Sequence, residues 1–133
     1  MCEMSTKKVL YIEDRADNRS LVRRVLMAEG IEVLEATNAD DGIRLAIQHL
    51  PDLILMDINM PGKDGFTATA ELRQHTALAH VPIVALTANV MKGDREKTLE
   101  AGCDGYIPKP IDVDRFPTDI MSYITKGRQE TRT

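Results

Sequence analysis

Long hydrophobic runs are missing from this sequence. The apolar stretches are short blocks such as 53–56 and 83–86, far below the ~20 residues that span a bilayer. No transmembrane helix is expected, and residues 1–8 lack the apolar core of a secretory signal, so the chain is expected in the cytoplasm. A basic excess is missing too. Lys and Arg number 17 against 21 Asp and Glu, a net charge of −4, which leaves no large basic face to neutralise the phosphates of a nucleic acid. Direct nucleic-acid binding is not expected. Cysteine is scarce: Cys2 and Cys103 lie at opposite ends of the chain without metal-ligand spacing and are read as free thiols. His49, His75 and His80 have no metal-site spacing with another ligand either and are read as surface residues. The sequence contains no internal repeat and no low-complexity segment.

What is present suits one folded domain. A length of 133 residues, 43% hydrophobic and 29% charged, supplies a core without the imbalance of a disordered chain. The domain is expected over 7–125, with a short tail at 1–6 and a polar, disordered tail at 126–133. Apolar residues gather in five blocks, at 9–12, 31–34, 53–56, 83–86 and 106–107. Three are continuous rather than alternating, the pattern of parallel strands covered on both faces. The second mixes in charge and reads as an edge strand.

Between the blocks the period becomes helical. Leu21, Val22, Val25 and Leu26 share a face, with Gly30 as the stop. Asn38 caps a segment whose stripe is Ala39, Ile43, Ala46, Ile47 and Leu50, ended by Pro51. A third helix is expected over 65–73. A fourth, at 92–101, carries little apolar surface beyond Val90, Met91 and Leu99. The last, with Val113, Phe116, Ile120, Tyr123 and Ile124, is expected to start near Asp114 because Pro117 fits only a first turn. Five alternations of strand and helix predict an α/β, doubly wound five-stranded parallel sheet with right-handed crossovers and helices on both faces.

In such a sheet ligands bind beyond the carboxyl ends of the strands. Block one ends in Glu13-Asp14, block three in Asp57 and block four in Thr87, and block five is followed by Pro108-Lys109. One Asp after a strand is ordinarily a turn former or a cap. Three acids, a hydroxyl and an ammonium on one rim are a different matter. Two carboxylates ~4 Å apart repel by about 4 kcal/mol at an effective dielectric of about 20, so one should protonate unless a cation intervenes. A hard divalent ion removes the conflict, and Mg²⁺ suits a few carboxylates plus water and phosphate oxygens. Lys109 and Thr87 add charge and a hydrogen bond for a phosphoryl group. A carboxylate at such a strand end can act as a nucleophile that forms an acyl phosphate.

The stretches Tyr11-Ile12-Glu13-Asp14, Leu55-Met56-Asp57-Ile58-Asn59-Met60-Pro61-Gly62, Ala85-Leu86-Thr87-Ala88 and Tyr106-Ile107-Pro108-Lys109-Pro110 resemble the receiver-domain motifs of two-component response regulators, in order and over nearly the whole chain. The resemblance implies the flavodoxin-like strand order 2-1-3-4-5. It implies Asp57 as phosphoacceptor, with Glu13, Asp14, Asp57 and the main-chain carbonyl of Asn59 around Mg²⁺, for which Mn²⁺ can substitute. It also implies Thr87 and Lys109 on the phosphoryl oxygens, Thr87 with Tyr106 as the switch, and Asn59 and Asn89 as positions that tune loss of the phosphoryl group. A cis Lys109–Pro110 bond would aim the ammonium into the site. The implied partners are a histidine kinase or histidine phosphotransfer protein, and a downstream target on the surface of the fourth helix, fifth strand and fifth helix. The implied state is a monomer or a phosphorylation-dependent dimer. The weak apolar stripe of the fourth helix independently suits an element that small forces shift.

The stretch from Leu78 to Pro110 is most similar to single-domain regulators of the DivK type and to receivers of hybrid kinases, so a free-standing regulator and an excised receiver both remain open. A Mg²⁺-dependent aspartyl phosphohydrolase would want a second acid two residues after the nucleophile, where this chain has Asn59. A flavin or nucleotide binder would want a glycine-rich loop after the first strand, and Asp14-Arg15-Ala16-Asp17-Asn18 has no glycine. A receiver reduced to an interaction module is at odds with the intact acids, Thr87 and Lys109. Slow loss of the phosphoryl group, rather than turnover, is the expected behaviour.

Overall fold

A computed structural model of the chain describes residues 6–58, 65–87 and 94–126. The elements follow in the order β1 (Lys8–Ile12), α1 (Ala16–Met27), β2 (Glu32–Ala36), α2 (Ala39–His49), β3 (Leu53–Asp57), α3 (Gly65–Arg73), a 3-10 turn (Thr76–Leu78), β4 (Ile83–Thr87), α4 (Asp94–Ala101), β5 (Gly105–Pro108) and α5 (Phe116–Lys126). The strands pair in parallel in the order β2-β1-β3-β4-β5. β3 is therefore central, and the charged second block forms an edge strand as expected.

Alternation along the strands explains why the apolar blocks are continuous. Successive side chains point to opposite faces, and each face has its own core. Val9, Tyr11, Leu53, Leu55, Val84, Leu86 and Ile107 pack with Val22 and Leu26 of α1 and Phe116 and Ile120 of α5. Leu10, Ile12, Ile54, Met56, Ile83 and Ala85 pack with Ala39, Ile43 and Ala46 of α2 and Ala68 and Leu72 of α3. All five residues of β3 are buried, so a polar alternation there would have placed charge in one of two dry layers.

The helices start and stop largely for the reasons visible in the sequence. Asn38 accepts a 2.8 Å hydrogen bond from Asp41 N at the head of α2, and Leu50, in the left-handed region at φ 48, ends it before Pro51. The stripe of α2 is narrower than expected. Ile47 and Leu50 are 41% and 53% exposed, while Ala39, Gly42, Ile43 and Ala46 are buried: small residues seat the helix close to the sheet, and Leu50 has already left the helical phase. In α1, Val22 and Leu26 carry the buried face and Leu21 lies outside it.

α5 begins at Phe116, two residues beyond Asp114, because 112–115 form a turn closed by Arg115 N and Phe116 N on Asp112 O. Pro117 then lies in the first turn, where its missing N–H is no loss. Lys126 belongs to α5 rather than to a tail, and 127–133 lie outside the described residues. α4 is described from Asp94, with Leu99 50% exposed; Val90 and Met91 lie outside the described residues. Among the described residues no helix is long and apolar enough to cross a membrane.

The amino ends of β4 and β5 are closed by Arg73. Its guanidinium donates to Gly102 O (3.0 Å), Leu78 O (3.2 Å), Val81 O (2.7 Å) and Asp104 Oδ2 (2.6 Å), and Asp104 Oδ2 also accepts from Ile83 N. One side chain thus ties the end of α3 to the entries of β4 and β5, leaving the opposite rim for the site.

Candidate functional site at the carboxyl rim

Each strand end delivers what its parity dictates. Asp57 shares the alternation of Leu53 and Leu55, Glu13 follows Tyr11 by two, and Lys109 follows Ile107 by two, so all three lie on the side of the sheet covered by α1 and α5. Thr87 has the alternation of Ile83 and Ala85 and belongs to the other side, where Tyr106 packs against the core under α2 and α3. Thr87 closes β4 one residue past Leu86, the register partner of Asp57, and is itself in register with Pro108. Its carbonyl accepts from Lys109 N at 2.8 Å, which continues the β4–β5 ladder to the lysine.

Four of the expected residues meet directly. Glu13, Asp14 and Asp57 bring carboxylate oxygens within 4.8 Å of one another, and Lys109 Nζ lies 2.9 Å from Asp57 Oδ1. Glu13, Asp57 and Thr87 are buried and Asp14 is exposed. The Lys109–Pro110 bond is cis, as the resemblance implies. Tyr106 is half-buried in the edge strand and lines a cleft of about 330 Å³ with Arg115, Asp119 and Tyr123. Asn59 and Asn89 lie outside the described residues.

The electrostatics of this group are unbalanced. Three carboxylates face one ammonium, and burial, then the charge of Asp57, push the Glu13 carboxyl above its ordinary value of 4.5, while hydrogen bonds from Arg15 N and Tyr11 act in the opposite direction. Tyr11 is likewise held above the ordinary phenol range by burial and by Glu13, so it remains a donor. An all-oxygen donor set with surplus negative charge, one member exposed on the open side, fits a hard divalent cation.

Several supporting residues escape the strand-end reading. Tyr11 Oη donates to Glu13 Oε1 at 3.0 Å and Arg15 N to Glu13 Oε2 at 3.1 Å. Arg19 holds the Glu13 carbonyl at 3.0 Å and pairs with Glu35, which also takes Arg23. The signal for Tyr11 was its place two residues before Glu13 in a strand; for Arg19 and Arg23 it was the i, i+4 spacing on α1. Gly65, at the head of α3, has no room for a side chain: a Cβ there would lie 2.7 Å from Ile58 Cα and 2.8 Å from Asp57 O.

Comparison with known proteins agrees with this geometry. A family model described as the response regulator receiver domain matches residues 9–121. The polar-differentiation response regulator DivK of Brucella anthropi is 42% identical over 118 residues, 89% of this chain and 96% of that protein. DivK of Brucella ovis is 42% identical over 119 residues, 90% and 97% of the two chains. Among solved structures, the receiver domain of sensor histidine kinase PA1611 from Pseudomonas aeruginosa, with a magnesium ion coordinated in its active-site cleft, shares 33% identity at a TM-score of 0.83 and covers 91% and 99%. The chemotaxis protein CheY4 of Vibrio cholerae, at 24% identity and a TM-score of 0.85 over 89% and 98%, has the same fold.

Proposed function

The chain belongs to the response-regulator receiver family of two-component systems, and from that premise we propose that Asp57 accepts a phosphoryl group from a phosphohistidine on a histidine kinase or phosphotransfer protein. The observation that carries the reading is the Lys109–Asp57 contact of 2.9 Å beside two further carboxylates. It couples a central carboxylate to a fixed positive charge on the side from which a phosphoryl group would arrive.

In the transfer an oxygen of Asp57 attacks phosphorus in line, the P–N bond breaks, its electron pair returns to the imidazole, and an acyl phosphate forms. Glu13, Asp14, Asp57 and the carbonyl of Asn59 would hold Mg²⁺, which supplies neutralisation of phosphoryl oxygens when bound. Lys109 pairs with one phosphoryl oxygen and the Thr87 hydroxyl donates to another. With Asn59 two residues after the nucleophile, no side-chain acid-base is offered at that position for activating water, so the acyl phosphate is lost slowly and the chain acts as a switch. Thr87 and Tyr106 lie on one face of neighbouring strands, which supports a shift at Thr87 being passed to Tyr106 and so to a target on the α4-β5-α5 surface. Asn59 and Asn89 set the lifetime. The domain takes in 7–125, extended by Lys126 at the end of α5, and works in the cytoplasm.

The match to DivK over 96% of that protein's length supports a single-domain regulator. The 33% identity to a histidine-kinase receiver supports a second setting, as the receiver module of a larger kinase. Both share one chemistry, which is tested by transfer from a phosphorylated histidine kinase or from acetyl phosphate, with Asp57→Asn and omission of Mg²⁺ as controls. Loss of transfer in both controls is expected. Label retained by Asp57→Asn, or transfer indifferent to Mg²⁺, would overturn the reading.

A further inference from the structure

Tyr11 is almost completely buried in the core shared by α1 and α5. For that packing a phenylalanine ring would serve as well. The hydroxyl therefore needs its own account, since a buried hydroxyl is costly unless it is bonded. Its acceptor is Glu13 Oε1, at 3.0 Å. Strand alternation brings the two groups to the same face, so a rigid ring on the central part of the sheet reaches the first acid of the rim.

The remaining contacts of Glu13 complete a cradle. Arg15 N donates to the other carboxylate oxygen at 3.1 Å, and Arg19 Nη1 donates to the Glu13 carbonyl at 3.0 Å. With a donor on each oxygen and the backbone tied down, the plane of the carboxylate is fixed within 4.8 Å of oxygens from Asp14 and Asp57. Two of the three donors are backbone or backbone-directed. Tyr11 supplies the one that rests on a side-chain identity inside the core.

We propose that Tyr11 is a positioning residue for the acidic site: its hydroxyl holds the Glu13 carboxylate in the orientation from which Glu13 helps to bind a divalent cation. This rests on the reading of the rim as a Mg²⁺ site, and it adds a residue that acts through a ligand rather than as one. Groups that orient ligands in this way typically account for 10–100-fold in metal affinity.

Tyr11→Phe keeps the ring and its packing and removes only the donor. Mg²⁺ binding is measured by calorimetry on the full chain, and phosphorylation by acetyl phosphate is followed against Mg²⁺ concentration. The expected result is a Mg²⁺ dissociation constant raised about tenfold, with the Mg²⁺ concentration for half-maximal phosphorylation raised in step and the maximal rate much less affected. In a Glu13→Ala background the same substitution should have no further effect, since its route to the cation is gone. A dissociation constant within twofold of the parent, or an equal loss in the Glu13→Ala background, overturns the proposal. A parent chain that neither binds Mg²⁺ nor takes up the phosphoryl group would instead overturn the reading of the site itself.

Discussion

Lys109 Nζ reaches Asp57 Oδ1 at 2.9 Å although their strands, β5 and β3, are not neighbours. The whole width of β4 separates them, and the lysine spans it from the residue after β5. The ammonium therefore compensates one carboxylate of a group of three. Lys109→Ala should lower the rate of phosphorylation by acetyl phosphate about 100-fold, the usual effect of removing one preorganised charge or donor from a transition state. Phosphate-affinity electrophoresis reads the rate, and a rate within a few-fold of the parent would remove Lys109 from the mechanism.

Mg²⁺ should raise the thermal midpoint. A ligand that binds only the folded chain stabilises it by about 2.7 kcal/mol at 100 times its dissociation constant, a shift of several degrees for a domain of this size. Glu13→Ala should abolish most of that shift in a melting series against Mg²⁺ concentration.

Acidification should weaken Mg²⁺ binding before ordinary carboxylates titrate. The Glu13 carboxyl is held above 4.5 by burial and by Asp57, so it takes a proton at a higher pH than a solvated glutamate, and that proton competes with the cation. Without the cation, the same shift means that the folded state binds more protons than the unfolded state between the two values. The Glu13 contribution to stability is then favourable at low pH and is lost as pH rises through its folded-state value. Calorimetric titrations over a pH series running upward from the ordinary glutamate value should show affinity rising with pH in the parent and a flatter profile in Glu13→Ala.

Gly65→Ala should damage both stability and phosphorylation. The added carbon would meet the backbone of Ile58 and Asp57 at 2.7 and 2.8 Å, and backbone cannot swing aside as a side-chain tip can. At the first residue of a helix little of the interior propensity gain applies, so the overpacking of about 1–3 kcal/mol decides the sign, and the strain falls on the segment that carries Asp57. Urea unfolding and phosphorylation rates measure the two effects separately.

Arg73→Ala should destabilise by about 3–5 kcal/mol, because it takes the compensating positive charge from the nearly inaccessible Asp104 carboxylate and removes the donor of three carbonyls. Arg73→Lys should recover only a small part, since one ammonium cannot face the same directions as a planar fork. Denaturant midpoints test both substitutions.

The sheet was readable because its signal is local and repeated: a buried run such as 53–57 has few alternatives to a strand covered on both sides, and Asn38 and Pro51 bracket α2 by backbone chemistry alone. The acids, Thr87 and Lys109 were readable because a parallel sheet turns strand ends into one rim. Ile47 and Leu50 were misplaced in α2 because helical period gives the phase of a stripe but not its width, which depends on how closely Gly42 and Ala46 let the helix approach. Arg73 passed unnoticed because its four acceptors come from the 3-10 turn, the loop before β4 and the stretch between α4 and β5, and no spacing in sequence brings them together. The start of α5 was set by a turn on Asp112 that competes with the helix for the same backbone donors.

Strand parity has a consequence for how the rim divides its labour. Glu13, Asp57 and Lys109 hang on the side of α1 and α5, whereas Thr87 and Tyr106 hang on the side of α2 and α3, so the sheet is a partition with the acidic group and its lysine on one side and the hydroxyl–aromatic pair on the other. Anything drawn toward Asp57 from Thr87 must cross that partition. Tyr106 stands where the two sides meet: it packs against the core under α2 and α3 and also lines the cleft with Arg115, Asp119 and Tyr123, so the edge strand β5 is the one place where both sides of the partition reach the surface together.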